Sequence, residues 1–421
     1  MESPFWNNAF SIPSVRGFCE DIAEELTEGR NVIALFPSGF NTDDVWRSVH
    51  HCLYRKDQRS EELEASPQAP TDTHSLVERL VQSDPVSRTV SLLDIISSSN
   101  LPDVVNITGI NDLQSAEAAS WIHAIQRWAD DSKNKKAVGD KWPRFLALLP
   151  AGIMPFRELP GSDVLLSLRK WWGFPSSSEL RLSCREFRYS EDETDIAWKE
   201  SLISGIAPGD LTLADALWSN TPQDYEEVVE QLASMSRNGI DSFDLSKGAR
   251  DIRRGPRDEH GDDLPITLVE DWEHGRIIRS YEFGIETHPV ALARYSVHDQ
   301  LRHRMWRGQA QTLLPLIDQV RLSTCSKLVR QFQADWFDKL GPPKTKGQVN
   351  QEELSRLKAS PTDAEYGYLD HLARHKPDEL EKANVHPGQI MTASDVRNDL
   401  SHYSPISRRD FQGFYRHWLR G

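Results

Sequence analysis

Asn31-Val-Ile-Ala-Leu-Phe36 followed by Pro37-Ser-Gly-Phe-Asn-Thr42 is the stretch whose reading decides the fold class. The first six residues form a short, largely apolar run of buried-strand length, and Pro-Ser-Gly punctuates it as a turn. Asp43 and Asp44 then place negative charge where a helix N-terminus favours it, which predicts a helix through about Leu53. Further strand candidates are Thr89–Asp94, Val104–Gly109, Phe145–Leu149 and Leu180–Phe187, with a helix-period stretch from Ser115 to Asp130 among them. Short apolar runs alternating with helices predict an α/β domain with a parallel sheet covered on both faces. Residues 55–80, rich in Glu, Ser and Pro, read as a polar surface insertion, and residues 195–236 as a helical, lid-like cap.

The pattern changes further along. Residues 237–265 are charged and rich in Gly, Arg and Asp, as a linker or exposed loop is. Ile266–Asp271 and Arg276–Phe283, on either side of Trp272-Glu-His-Gly275, predict a hairpin. From about Ser296 apolar residues recur at helical spacing through Leu313, Leu316, Ile317, Val320, Leu328, Phe332 and Trp336, and Pro315 is expected to kink or divide that helix. Phe411, Phe414, Tyr415 and Trp418 define the apolar face of a final helix. The expected domains are therefore 1–236 (α/β with a helical lid), 237–295 (linker and hairpin) and 296–421, an all-α helical bundle.

Thirteen tryptophans and 38% hydrophobic residues supply real cores, so the chain is globular. Cys19, Cys52, Cys184 and Cys325 are far apart and form no C-x-x-C pair, which argues against a disulfide framework or zinc knuckle. No apolar run has the length of a membrane span, and the N-terminal residues lack a basic and apolar leader; a cytoplasmic protein with no membrane association is expected. The formal net charge of −15 excludes a protein that coats nucleic acid with its whole surface. Its distribution is uneven. Residues 301–421 hold 19 Lys+Arg against 14 Asp+Glu, leaving 30 against 50 for the remainder. A polyanion such as RNA therefore belongs with the C-terminal part, and a protein partner with the acidic N-terminal domain.

Within the basic part, Arg397-Asn-Asp-Leu-Ser-His402 follows Thr392-Ala-Ser-Asp395, which has the form of a capping box. The helix is expected to start near Ala393 and to stop before Pro405, at Tyr403 or Ser404. Asn398 and His402 are four apart and share a face, whereas Arg397 lies roughly 140° from His402 around the axis at 3.6 residues per turn. An arginine holds a phosphate oxygen and stabilises developing charge, while a histidine moves a proton near neutrality. RNA carries its own nucleophile in the 2′-OH, so no metal is strictly required. A looser spacing also joins Arg253 or Arg254 to His260, but in a Gly/Pro-rich loop with no fixed geometry. The bland alternative for the motif is a surface helix whose Arg and His cap carbonyls or pair with Asp399.

This R-x4-H segment resembles the HEPN superfamily over about residues 296–421. The resemblance implies metal-independent RNA cleavage leaving 2′,3′-cyclic phosphate and 5′-hydroxyl ends, with no cofactor. It implies a homodimer through the C-terminal domain, since two facing motifs usually build the site. Carried across, Arg397 and His402 are the catalytic pair and Asn398 the residue that positions them. Arg302, Arg304, Trp306 and Arg307 are candidates for contacting RNA backbone or bases, with a core Trp306 and solvated arginines as the equal alternative.

The N-terminal half resembles, in its order of elements, a P-loop ATPase of the AAA kind. Ser38, Gly39, Thr42 and Asp112 occupy the nucleotide-site positions, and Leu146–Pro150 that of the sensor strand. The chemistry is missing: G-x-x-x-x-G-K-[ST] needs a lysine on the β/γ-phosphates, and there is no Gly-Lys pair here. A degenerate sensor or docking domain is expected. His371 and His375 have zinc-compatible i, i+4 spacing but no third ligand, and His50-His51-Cys52 reads as a helix end. The combined expectation is an endoribonuclease effector of the toxin or antiviral-defence kind, held silent until triggered. The rivals are a non-catalytic adaptor and a regulatory subunit of an ATP-dependent defence assembly.

Overall fold

A computed structural model describes residues 5, 8–37, 40, 42–81, 96, 100–133, 142–151, 153, 158–186, 192–235, 264–345 and 348–419. The strand expected at 89–94, most of the expected linker and the turn residues Ser38 and Gly39 lie outside these. The chain forms two compact units, each assembled from separated segments. One comprises Met1–Glu179, Pro208–Asp215 and Ala233–Tyr295; the other comprises Leu180–Ala207, Ala216–Leu232 and Ser296–Gly421. The chain thus does not divide into three consecutive pieces. Most of the helical stretch expected as a lid belongs with the C-terminal helices, and the described part of the 237–295 segment belongs with the α/β unit.

In the α/β unit the strands are β1 (Asn31–Phe36), β2 (Ser60–Glu64), β3 (Val104–Thr108), β4 (Arg144–Pro150) and β5 (Leu166–Lys170). They form one sheet in the order β2-β3-β4-β1-β5, every pair parallel. Its helices include α1 (Pro13–Thr27), α2 (Thr42–Arg55), α3 (Thr73–Val81) and α4 (Ser115–Lys133). Side chains alternate across a strand, so Ile33, Leu35, Val105, Ile107, Phe145, Ala147 and Leu149 face one way, against Leu76 and Val77 of α3 and Trp121, Ile125 and Trp128 of α4. Val32, Ala34, Phe36, Val104, Asn106 and Leu146 face the other way, the side of α1 and α2. Coverage of both faces explains why the central strands read as nearly unbroken apolar runs.

The two strands of this sheet missed in the sequence are both edges. Ser60-Glu-Glu-Leu-Glu64 lies inside the supposed polar insertion, and charged residues along a sheet margin are how edges avoid further pairing. Leu166-Ser-Leu-Arg-Lys170 carries Arg169, whose Nη2 lies 2.8 Å from Glu25 Oε1. Conversely, the strand expected at 180–187 is part of helix α5 (Ser177–Glu186). Leu180 and Cys184 are buried four apart, and Arg181 and Arg185 both reach Glu200 (3.0 and 2.9 Å), a pairing only helical spacing permits.

α6 (Glu193–Ile206), α7 (Leu211–Ser219) and α8 (Tyr225–Ser234) follow, then α9 (Val269–Glu273). The hairpin is displaced from its expected place: its strands are β6 (Ile277–Ser280) and β7 (Gly284–Thr287), joined through Gly284 at φ 68°, while 269–273 is helical. Gly275 does sit in a turn, at φ 64°, but that turn ends the helix at 269–273 instead of joining two strands.

α10 (Pro289–Arg294) precedes α11 (His298–Phe332), a continuous 35-residue helix that Pro315 does not divide. Leu313 and Ile317 are buried on either side of Pro315, and their packing offsets the hydrogen bond that proline cannot donate. In the helical unit α11 crosses α6 where Gly205 meets Gly308. A Cβ on Gly308 would lie 1.9 Å from the Ser201 carbonyl oxygen, so the two backbones are in direct contact. α12 (Trp336–Leu340), α13 (Gln351–Ala359), α14 (Tyr366–His375), α15 (Pro377–Lys382), α16 (Pro387–Ser401) and α17 (Arg408–Leu419) complete this unit. Phe411 and Phe414 of α17 are buried as expected, Phe411 edge-on to Trp198 at 5.3 Å. Among the described residues no helix is long and apolar enough to cross a membrane.

Candidate functional site

Two places in the molecule gather the residues singled out above, one in each unit. The first is the end of α16. The helix begins at Pro387, not near Ala393, so Thr392 is an interior residue and caps nothing. Proline is tolerated in the first turn, where its missing N–H has no intrahelical partner, and burial of Ile390 recruits the extra turn. The C-terminal end is built with care. Ser404 N–H donates to Asp399 O (3.1 Å) and Tyr403 N–H to Leu400 O (3.3 Å), with Tyr403 left-handed at φ 57°. This is a Schellman closure with a tyrosine where glycine is usual. His402 N–H donates to Asp399 O (3.0 Å), Ser401 Oγ to Arg397 O (2.7 Å), and Trp306 Nε1 to Leu400 O (2.6 Å).

The carbonyls of residues 397–400 are therefore satisfied by backbone, Ser401 and Trp306. Arg397, Asn398, Asp399 and His402 all keep their side chains exposed. Arg397 Nη1 donates to Asn398 Oδ1 at 3.3 Å, which brings two of the three expected catalytic residues together. Arg397 also lines a groove of about 370 Å3 with Arg321, Asp318, Asp363 and Glu365, whereas His402 is not among its walls. Arg397 and His402 of one chain thus address different directions, as their spacing predicts.

The residues expected to contact RNA have diverse positions. Arg304 is 2% exposed and is a core residue, which removes it from any surface interface. Its place on the α11 face that also buries Leu301, Met305 and Gly308 is the cause. Arg302 is exposed and lies over the Tyr225 ring at 4.6 Å. Arg307 Nη2 approaches Gly205 O at 3.4 Å. Trp306 is half-buried, 4.7 Å from the Tyr403 ring and 5.0 Å from His303, so it serves the end of the motif helix. Tyr403, itself 61% exposed, was not singled out in the sequence, because its left-handed backbone has no mark there.

The second place is at the carboxyl ends of β3 and β4, beside α2. Because the strands are parallel and β4 lies between β1 and β3, their C-terminal ends emerge side by side. Ligands of open α/β sheets bind at such edges. A cavity of about 360 Å3 opens here, lined by Thr42, Asp43, Trp46, Arg47, Glu62, Asn106 and residues 107–111 among others. Thr42 starts α2 and is buried, accepting a hydrogen bond from Asn111 Nδ2 at 3.3 Å. Asp112, expected to mimic a Walker acid, sits exposed in a 3-10 turn and is not among the cavity walls; Asn111 takes the inward place. Asp44 is buried and bonded to Arg47, and burial raises its carboxyl above the ordinary range while Arg47 lowers it. Trp46 Nε1 donates to Glu62 Oε1 at 2.6 Å.

His371 and His375 have ring centroids 4.3 Å apart, and no group of three His, Cys, Asp or Glu able to hold a metal occurs among the described residues. His50, His51 and Cys52 lie within α2, with Cys52 buried and its thiol pushed up to about 11 by that burial. No protein-family profile matches the chain, and no curated protein matches it. Among solved structures it is similar to a chain in a structure of Drosophila ORC bound to DNA, at 11% identity and a TM-score of 0.25, over 97% of this chain and 71% of that one. At that score the likeness carries no argument, and function must be read from the two sites themselves.

Proposed function

We propose that this protein is an endoribonuclease effector of the HEPN kind, with Arg397 and His402 as its reacting residues and Asn398 positioning Arg397. The observation that carries this is the state of the α16 terminus. Its carbonyls are capped by other groups, so Arg397 and His402 are not used as caps and both present their side chains to solvent. In this reading Arg397 binds a non-bridging phosphate oxygen of RNA and stabilises the charge that builds there. His402 takes the 2′-OH proton or protonates the leaving 5′-oxygen. Since the two point apart on one helix, a complete site takes Arg397 from one chain and His402 from another, and dimerisation belongs to the proposal. A left-handed Tyr403 immediately after His402 fits a site that stores backbone strain.

The α/β unit, in this reading, is a P-loop-like sensor or docking domain that does not hydrolyse nucleotide. The parallel sheet with β4 between β1 and β3 supports it, and the absent Gly-Lys pair argues against hydrolysis. The biological setting that fits is a toxin or antiviral-defence component.

The test is incubation of purified protein with total RNA in EDTA, beside Arg397→Ala and His402→Ala. Cleavage lost in both variants, leaving cyclic-phosphate ends in the wild type, is expected. Equal cleavage by all three proteins overturns the assignment. Mixing the two inactive variants should restore part of the activity if the site spans two chains.

A further inference from the structure

The end of α16 carries a residue that folding alone does not explain. Tyr403 closes the helix at φ 57°, a left-handed conformation that suits glycine and strains a bulky side chain. Burial recovers little of that cost, since the residue is 61% exposed. Backbone strain of this kind collects at binding and catalytic sites.

The exposed ring is nevertheless held in place. It lies 4.7 Å from the Trp306 ring, and Trp306 Nε1 is itself fixed by the Leu400 carbonyl oxygen at 2.6 Å. The ring of His303, also on α11, lies 5.0 Å from Trp306 and 6.2 Å from Tyr403. His303 is exposed and Trp306 half-buried. Two helices thus assemble one aromatic patch, ordered before any ligand arrives, so binding costs little side-chain freedom.

The surroundings select the occupant. Tyr403 directly follows His402, whose side chain is exposed, and Arg397 on the same helix forms no ion pair among the described residues. An apolar protein segment would use the rings and leave Arg397 unanswered. A nucleic-acid strand offers flat bases to the rings and phosphates to the cation. In a duplex the bases are stacked on one another, whereas a single strand can splay one out.

We propose that Tyr403, together with Trp306 and His303, is a stacking platform that receives an unpaired base beside the phosphate at His402. The identity of the strand as RNA rests on the ribonuclease reading. Tyr403 is then a positioning residue: it sets which phosphate meets His402 and takes no part in proton transfer. Stacking tolerates any base, so the platform selects unpaired over paired RNA and not one sequence over another.

Fluorescence anisotropy tests this on the full-length chain carrying His402→Ala, in EDTA so that the probe stays intact. The probes are a labelled short oligoadenylate, its duplex, and the same strand with abasic sugars. Oligoadenylate should bind saturably, and the other two about tenfold more weakly. Tyr403→Phe should bind oligoadenylate as the parent does; Tyr403→Leu and Tyr403→Gly should bind it about tenfold more weakly. Tyr403→Gly also relieves the left-handed strain, so it should melt no lower than the parent and its loss of binding is not a folding defect. Equal oligoadenylate affinity in the parent and Tyr403→Gly overturns the proposal, as does equal affinity for the abasic strand or no saturable binding at all. Full affinity in Tyr403→Leu overturns it too, since any apolar surface would then suffice. The ribonuclease reading fails separately. Tyr403-dependent binding beside cleavage that Arg397→Ala and His402→Ala leave unchanged sinks that reading and keeps the platform. Where cleavage does need both residues, Tyr403→Gly in the otherwise native chain should lower kcat/KM by about tenfold and Tyr403→Phe should restore it.

Discussion

The α/β unit and the helical unit place their chemistry in opposite ways. In the first, the candidate site is a walled cavity beside Asn106, whose Oδ1 is buried and has no hydrogen-bond partner among the described residues. In the second, the candidate residues stand in solvent on a helix end whose backbone needs nothing from them. A buried, unsatisfied group costs stability until something binds it, whereas exposed Arg and His cost nothing and wait for a surface to meet. The comparison teaches that an unpaired buried group marks a place where a partner is missing, whereas exposed side chains left out of capping carry no such mark.

The contrast can be broken most severely at α16. Arg397→Ala and His402→Ala should each lower RNA cleavage by a factor of about 10² to 10⁴, with thermal melting unchanged within a degree or so, since both side chains are exposed. A loss of activity accompanied by a large loss of stability would assign them a structural role instead.

Next in size is the packing of the helical unit. Gly308→Ala drives a methyl group into the Ser201 carbonyl, and should destabilise by about 3 kcal/mol or more, read as a fall in the denaturation midpoint. Gly413→Ala is the control: nothing lies within 4 Å of a Cβ there, and helix propensity predicts a gain of roughly 0.5–1 kcal/mol.

Two buried asparagines sharpen the comparison within the sheet. Asn31→Leu abandons Leu165 O and Phe145 N–H and should cost about 2–4 kcal/mol. Asn106→Leu removes an unpaired acceptor and should be neutral or stabilising by up to about 1 kcal/mol. Urea unfolding of both variants decides; equal losses would mean that Asn106 is partnered after all.

Smallest is the effect at Glu353, in the helical unit. Burial raises its carboxyl above the ordinary range, against the Glu365 N–H that it accepts at 3.1 Å. A folded-state pKa above the unfolded one gives stability that is full below the unfolded pKa and is lost as pH rises through the folded value. Glu353→Gln, which still accepts from Glu365, should therefore be indistinguishable from wild type in acid and more stable by less than about 1 kcal/mol at neutral pH. The same gain at both pH values would contradict the assignment.

Much of the fold was readable where burial is two-sided. β1, β3, β4, α2 and α4 lie close to their expected places because each is covered by neighbours and must be apolar at a fixed period. Ser60–Glu64 and Leu166–Lys170 were not readable, because an edge strand is paired on one side and its charges deny the pattern. At the candidate sites, Arg397, Asn398 and His402 were singled out by spacing and resemblance, while Asn106, Asn111 and Tyr403 had no signal. Asparagine in an apolar strand reads as a blemish, and a left-handed tyrosine looks like any other.

By itself, then, the sequence determined a parallel α/β region, a helical C-terminal region and the R-x4-H helix within it. Local periodicity and charge act over a few residues, and those features need no more than that. Tertiary structure alone decided that 180–207 and 216–232 join the C-terminal helices, that Arg304 is core, and that Trp306 holds the motif helix by the Leu400 carbonyl. It also decided that Asn106 Oδ1 is left without a partner among the described residues. Those outcomes depend on which distant surfaces meet, and a hydrogen bond's partner, or its lack of one, exists only once they have met.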